Sequence, residues 1–245
     1  MPTFFLASEA IVPPTVHISG PLLNHLRQSL RLQPGEILTV TDDRGWRYRT
    51  EIIEVTSRVL TGRIVETIAA PVRTSPSIVL AQALLKGEKM DWVIQKATEL
   101  GVERIVPLAA SHSVIRLRDD RIDHQLARWQ RIALEAAQQS ERWSVPVISQ
   151  PAAVRELLDW SKPAQAKLVL AERSQGASLT AVPLPGIGNE IWLLVGPEGG
   201  WEDEELGQVL QHGYTAITLG SRILRAETAA IATISVLQSR LGGLE

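Results

Sequence analysis

The sequence contains no cysteine. Disulfides, thiolate catalysis and cysteine-bound metal are therefore excluded, and the composition is compatible with a reducing compartment. There is also no uninterrupted apolar run of the ~18 residues that a membrane-spanning helix requires. The start, Met1-Pro2-Thr3-Phe4-Phe5, lacks a charged segment followed by a long apolar one. No secretory signal is expected, and a cytoplasmic location is. His17, His25, His112, His124 and His212 form no ligand-spaced pair, so no metal site is expected. The phosphate-loop pattern G-x-x-x-x-G-K-[ST] is missing, as is the G-x-S-x-G of serine hydrolases. Lysine is scarce, at 5 residues against 20 arginines, and the net charge is −2. That balance argues against a general polycation but leaves room for local arginine patches, which suit bidentate phosphate contacts and base stacking.

At 245 residues with 44% hydrophobic content, the chain can build one large domain or two small ones. Residues 1 to about 72 read as β-rich. Glu36 to Thr41 and Trp46 to Val55 are strand-like, with a hairpin turn at Asp42-Asp43-Arg44-Gly45, and Val59 to Ile68 makes a further strand. Arg44, Arg47 and Arg49 surround this hairpin together with Trp46 and Tyr48, a mixture that suits loop or single-stranded RNA. The same spacing also fits a strand that alternates inward and outward residues. Ala70-Pro71-Val72-Arg73-Thr74-Ser75-Pro76 reads as a linker. From Ile78 onward strands alternate with helices. Strands are expected at Ile78 to Leu84, Arg104 to Leu108, Lys167 to Ala171, Ile191 to Val195 and Thr215 to Leu219. Helices are expected around Met90 to Leu100, Asp123 to Glu141, Leu206 to Leu210 and Ala229 to Leu237. This alternation implies an α/β fold with a mostly parallel sheet.

The most informative stretch is Leu193-Leu194-Val195-Gly196-Pro197-Glu198-Gly199-Gly200. An apolar strand ends in a turn of glycines, and an acidic helix start follows at Glu202, Asp203, Glu204 and Glu205. Glycines admit close approach of a ligand to the backbone. The ends of strands in open α/β sheets are where small molecules bind. The acidic helix start disfavours an anion, so a neutral or cationic ligand fits better. A second segment repeats the arrangement: Leu219-Gly220-Ser221-Arg222-Ile223-Leu224-Arg225-Ala226-Glu227-Thr228-Ala229 leads from a short strand into an apolar helix. Arg225 and Glu227 sit at its loop-to-helix junction, and Thr228 is placed to cap the helix.

Taken together, the two segments resemble the ribosomal RNA small subunit methyltransferase E family, of the SPOUT class of knotted methyltransferases. Supporting matches are Lys86 to Glu88, then Met90 to Val102, and His25-Leu26, Leu30-Arg31-Leu32 and Pro34-Gly35-Glu36. The chain departs from the family where Thr3 precedes Phe4, in place of a common arginine, and where His112 stands in place of a basic residue. The resemblance implies a small PUA-like β-barrel that holds RNA (1–72) and a SPOUT-type α/β knot (73–245). It implies transfer of a methyl group from S-adenosylmethionine to N3 of a uridine in 16S ribosomal RNA, by a homodimer.

On the same resemblance the cofactor is expected at Leu170, Glu172, Val195, Gly196, Pro197, Glu198, Gly199, Gly200, Leu219, Gly220, Ile223, Leu224 and Thr228. Backbone groups of Leu219, Ile223 and Leu224 are expected to bind adenine, and a side chain at Gly199 is expected to intrude on the ligand. Arg225 is the expected electrostatic group, with Glu227 or Glu198 accepting the N3 proton. Arg31, Arg44, Arg47 and Arg142 are the expected RNA contacts. Two other readings stay open: a non-catalytic RNA-binding or ribosome-assembly factor, and a SPOUT methyltransferase acting on transfer RNA.

Overall fold

The computed structural model describes residues 3–113, 119–171 and 176–244, which divide into two compact units. The first comprises the chain up to Val72 together with Ala137–Ser144, and the second comprises the remainder.

In the first unit the elements are β1 (Thr3–Phe5), a 3₁₀ turn (Ser8–Ala10), β2 (Ile11–Val12), β3 (Thr15–Ile18), α1 (Gly20–Gln28), β4 (Ile37–Thr41), β5 (Trp46–Val55) and β6 (Leu60–Ala69). They form a six-stranded sheet in the order β1-β4-β5-β6-β3-β2, in which β1 runs parallel to β4 and the other pairs are antiparallel. Two register shifts between β5 and β6, at Arg49/Thr50 and Ile52/Glu54, increase local twist and curl this long ribbon. At Gly62 an added Cβ would lie 2.2 Å from Thr50 Cγ2, so the close approach of β6 to β5 requires glycine there. Val16, Ile18, Leu23, Leu26, Leu38, Val40, Ile52 and Leu60 fill the inside of the curl.

The β4–β5 hairpin forms where the sequence places it, and the buried Asp42 carboxylate explains why. It accepts hydrogen bonds from the N–H groups of Arg44 (2.9 Å) and Trp46 (2.8 Å) and from the Tyr48 hydroxyl (3.0 Å). Each donor would otherwise be left short of a partner in the turn. Helix α1 is not evident in the sequence pattern, because a nine-residue helix burying only Leu23 and Leu26 leaves little periodicity to read.

In the second unit the elements are β7 (Ser77–Ala83), α2 (Lys89–Glu99), β8 (Arg104–Ala109), α3 (Asp119–Gln139, whose residues from Ala137 on belong to the first unit), β9 (Val147–Ile148), β10 (Ala152–Ala153), α4 (Val154–Trp160), β11 (Ala166–Leu170), β12 (Ala177–Ser178), β13 (Glu190–Val195), α5 (Asp203–Gln211), β14 (Thr215–Thr218) and α6 (Ala226–Arg240). The sheet order is β10-β8-β7-β13-β11-β14-β12, with β9 beside β8, and every pairing is parallel.

Both faces of this sheet are covered, which is why its strands read as continuous apolar runs. Ile78, Leu80, Leu168, Ile191, Leu193 and Ile217 pack on one side with Val93, Ile94, Ala97, Ile234 and Leu237 of α2 and α6. Val79, Ala81, Val169, Trp192 and Leu194 pack on the other with Leu157, Leu158 and Val209 of α4 and α5. The end of α2 is tied to α6 by Gln238 Nε2, which donates to Leu100 O (2.6 Å). Gly101, at φ 82°, makes room for that amide, since a Cβ there would lie 2.7 Å from it.

One local expectation is corrected. Thr228 does not cap α6. The helix begins at Ala226, with Arg225 in the extended capping position and Ala229 N–H bonded to Arg225 O (2.8 Å). Thr228, the third residue of the helix, lies three residues past the capping position.

Candidate functional site

The strand order decides where the site forms. In a parallel sheet the carboxyl ends of neighbouring strands share one edge, so the bends after β13, β11 and β14 open side by side. They enclose a cleft of about 580 Å³, partly open to solvent. Leu170, Val195, Gly196, Pro197, Gly200, Leu219, Gly220, Ile223 and Leu224 line it, all of them positions singled out in the sequence. Ala171, Trp201, Ile217, Thr218, Arg222, Ala226 and Ala229 complete the lining. Glu172 lies outside the described residues.

Three expected contacts do not line the cleft. Glu198 turns its side chain to Lys89. Thr228 is exposed on the first turn of α6. Gly199 faces elsewhere: a Cβ built on it would sit 3.2 Å from His112 Cβ, so a side chain there meets His112 rather than a ligand. The tight position is Gly196, where an added Cβ would lie 2.9 Å from Trp201 Nε1. Trp201 is half-buried, and its indole N–H donates to Leu170 O at 2.9 Å. One side chain thus fastens the end of β11 to the turn after β13, and Gly196 supplies the space it occupies.

The chemistry of the cleft is mixed but simple. Its walls are mainly aliphatic. Among the described residues, the backbone polar groups of Leu219, Ile223 and Leu224 make no hydrogen bond within the chain. Unpaired amides and carbonyls on a cleft wall are an edge that a planar heterocycle can satisfy. Gly200 (φ 76°) and Gly220 (φ 112°) adopt backbone conformations that disfavour side chains, which keeps the rims of both bends low. Among the described residues, no carboxylate lines the cleft, and Arg222 is the charged side chain at its rim. Ile223 is 72% exposed, a large apolar side chain held out beside the opening.

Next to the cleft stands a charged group that spans three elements. Lys89, the first residue of α2, donates to Glu198 Oε1 in the turn after β13 and lies 3.8 Å from Glu227 Oε1 on α6. The Glu227 side chain is only 14% exposed. Its second oxygen, Oε2, is buried without a hydrogen-bond partner. Arg225 is exposed two residues before Glu227.

Lys89 and Trp201 are the residues that sequence reasoning missed. Lys89 opens a helix after β7, the strand beside β13, so it belongs to the same sheet edge, but only the strand order reveals this. Trp201 directly follows the glycine pair, and an aromatic at that place was the available signal. Among the described residues, no cluster of three or more His, Asp or Glu is placed to hold a metal, and no helix is long and apolar enough to cross a membrane.

The expected RNA contacts lie in the first unit and separate into two kinds. Arg31 and Arg44 are exposed, Arg31 in a left-handed backbone conformation (φ 54°) and Arg44 at the hairpin tip beside Trp46, which is 43% exposed. Arg47 and Arg142 are half-buried. The Arg47 guanidinium donates to the carbonyls of Glu141 (3.0 Å) and Arg142 (3.1 Å), and its carbon lies 3.8 Å from the centre of the Trp143 ring. Burial lowers its pKa from the ordinary arginine value, with Glu141 acting in the opposite direction. Arg47 is therefore spent on holding Ala137–Ser144 against the hairpin. Arg47→Ala is expected to destabilise the protein by about 1–3 kcal/mol through loss of three hydrogen bonds (to the carbonyls of Glu141 and Arg142 and to Thr41 Oγ1) and the stacked cation. Thermal unfolding checks this; an unchanged melting temperature with weakened RNA binding would return Arg47 to the RNA-facing set.

Residues 73–238 match the family described as RNA methyltransferase domain, and residues 18–65 match the RNA methyltransferase PUA domain. The fold and the cleft thus define an RNA methyltransferase of the SPOUT class, with a PUA-like sheet before it. Ribosomal RNA small subunit methyltransferase E of Synechocystis is 32% identical over 95% of this chain and 76% of its own length. The same-named protein of Bacillus subtilis is 29% identical over 91% of this chain and 90% of its own. Among solved structures, ribosomal RNA small subunit methyltransferase E from Neisseria gonorrhoeae, bound to S-adenosyl methionine, superposes with a TM-score of 0.87 at 32% identity, covering 98% of each chain. A Legionella pneumophila protein in complex with the cofactor SAM gives a TM-score of 0.88 at 30% identity, covering 97% of each. The chain belongs to the ribosomal RNA small subunit methyltransferase E family.

Proposed function

We propose that this protein transfers a methyl group from S-adenosylmethionine to N3 of a uridine in 16S ribosomal RNA. The observation that carries this reading is the shared cleft. Free backbone groups of Leu219, Ile223 and Leu224 suit an adenine edge, and aliphatic walls suit its faces. Gly196 and Gly200, on the bend after β13 beside Glu198, would hold the methionyl portion.

S-adenosylmethionine, when bound, supplies a methyl carbon on a sulfonium, a group ready for in-line displacement. The protein's part is to bring N3 to that carbon, which accounts for most of the acceleration. N3 of uridine carries a proton and is a poor nucleophile until the proton leaves. A carboxylate of the Glu198–Glu227 pair receives it. Arg225, exposed between Leu224 and Ala226 of the cleft wall, stabilises the negative charge that develops on the uracil carbonyl oxygens.

In this reading residues 1–72 hold the RNA, with Arg31, Arg44 and Trp46 on the surface for it, and residues 73–245 perform the transfer. The protein works in the cytoplasm as a homodimer. Mass mapping of modified nucleosides in 16S ribosomal RNA tests the whole reading. Cells lacking the protein should lose one N3-methyluridine, and the purified protein with S-adenosylmethionine should restore it on their small subunits. An unchanged nucleoside map would overturn it.

A further inference from the structure

The two carboxylates beside the cleft are not equivalent, and Lys89 makes them so. Its ammonium donates directly to Glu198 Oε1, which commits Glu198 to an ion pair. It also lies 3.8 Å from Glu227 Oε1, beyond hydrogen-bond range but close enough to attract that oxygen. The Glu227 carboxylate is thereby turned so that one oxygen faces Lys89 and the other, Oε2, is left buried without a donor. A buried, unpaired carboxylate oxygen is costly unless a ligand supplies the missing hydrogen bond. The neighbouring bend, Leu219 to Leu224, is the one that lines the cleft, and Ala226 and Ala229 of the same helix turn as Glu227 form part of its wall. Glu227 itself does not line the cleft; its unmet acceptor lies on the helix turn whose Ala226 and Ala229 do, and what it lacks is a donor.

We infer that Glu227, through Oε2, is the group that takes the N3 proton of the target uridine, and that Lys89 is a positioning residue that aims it by bridging Glu227 to Glu198. This assignment rests on the reading of the site as a uridine-N3 methyltransferase. In the step, the N3–H bond breaks and its proton passes to Glu227 Oε2. The N3 electron pair forms the bond to the methyl carbon, and the carbon–sulfur pair returns to sulfur, leaving a neutral thioether. Glu198 accepts no proton, because its near oxygen is held by the ammonium. Lys89 touches neither reactant and acts only through Glu227.

Single-turnover methylation of small subunits, with S-adenosylmethionine affinity measured by calorimetry, tests the assignment. Glu227→Gln preserves shape and should lower the rate about 10²–10⁴-fold, the usual contribution of a positioned general base, while cofactor affinity changes less than about threefold. Lys89→Met should lower the rate about 10–100-fold, the size of effect expected from a small misplacement, and Lys89→Arg should restore most of it. Glu198→Gln should cost less than Glu227→Gln by at least about tenfold.

A purely structural role is separated by changing the substrate. Small subunits reconstituted on RNA transcribed with 5-fluorouridine present a more acidic imide, which depends less on a base. The Glu227→Gln deficit relative to wild type should shrink by about tenfold or more on that substrate. Undiminished activity of Glu227→Gln, or a deficit identical on both substrates, overturns the assignment while the wild-type activity stands. A wild-type protein that methylates neither substrate overturns the parent reading and the assignment together.

Discussion

Arg225→Ala is expected to abolish most methylation while leaving the protein folded and the cofactor bound. Arg225 occupies the position before α6 through its main chain, its carbonyl accepting the Ala229 N–H at 2.8 Å, and alanine keeps that bond. The side chain is exposed, and removal of an exposed side chain usually shifts stability by no more than about 0.5 kcal/mol. It is absent from the lining of the cleft, so cofactor affinity should stay within about threefold, less than a typical single hydrogen bond contributes. What alanine removes is an exposed cation on the residue that follows Leu224 of the cleft wall, the group proposed to meet the charge of a deprotonated uracil. Loss of one preorganised group of this kind lowers turnover about 10²–10³-fold. Retention of cofactor binding, read by calorimetry, together with loss of methyl transfer to small subunits, is the expected pair of results. Full transfer by Arg225→Ala would remove the residue from the mechanism.

The contrast between Arg225 and Arg47 shows what could be read from the sequence. Both are arginines in recognisable local settings, one at a loop-to-helix junction and one beside a hairpin. The first setting is local, so its geometry follows from the neighbouring residues. The second is decided by carbonyls 94 and 95 residues away, at Glu141 and Arg142, which no local pattern encodes. The same distinction runs through the site. The bends after β13 and β14 announce themselves by apolar runs that stop at glycine, and both line the cleft as expected. Lys89 stays hidden because its relevance depends on β7 lying beside β13, a pairing between strands more than a hundred residues apart in the chain. The knot implied by family resemblance is hidden for a related reason: it is a property of the path the chain takes, and periodicity reports only which faces are buried.

Glycine identity in the turn divides in the same way, and it yields the second large effect. Gly196, Gly199 and Gly200 look interchangeable in sequence, yet their surroundings differ. A Cβ on Gly199 would meet the Cβ of His112 at 3.2 Å, a contact eased by a shift of a few tenths of an ångström, and Gly199 does not line the cleft. A Cβ on Gly196 would lie 2.9, 3.1 and 3.2 Å from three atoms of the Trp201 indole. The indole cannot yield without losing its hydrogen bond to Leu170 O, the tie between two walls of the cleft. Gly196→Val is therefore expected to displace Trp201, part the β11 and β13 bends and weaken S-adenosylmethionine binding by about 100-fold or more, the equivalent of roughly 2.7 kcal/mol. Gly199→Ala is the matched control and should bind with about wild-type affinity, within the ~0.5 kcal/mol expected of a tolerated substitution. Calorimetric titration of both variants gives the answer, with tryptophan fluorescence reporting whether Trp201 has moved. If Gly196→Val bound the cofactor as well as wild type, the indole tie would have no part in shaping the site. If Gly199→Ala lost binding instead, the ligand would have to approach the turn from the His112 side.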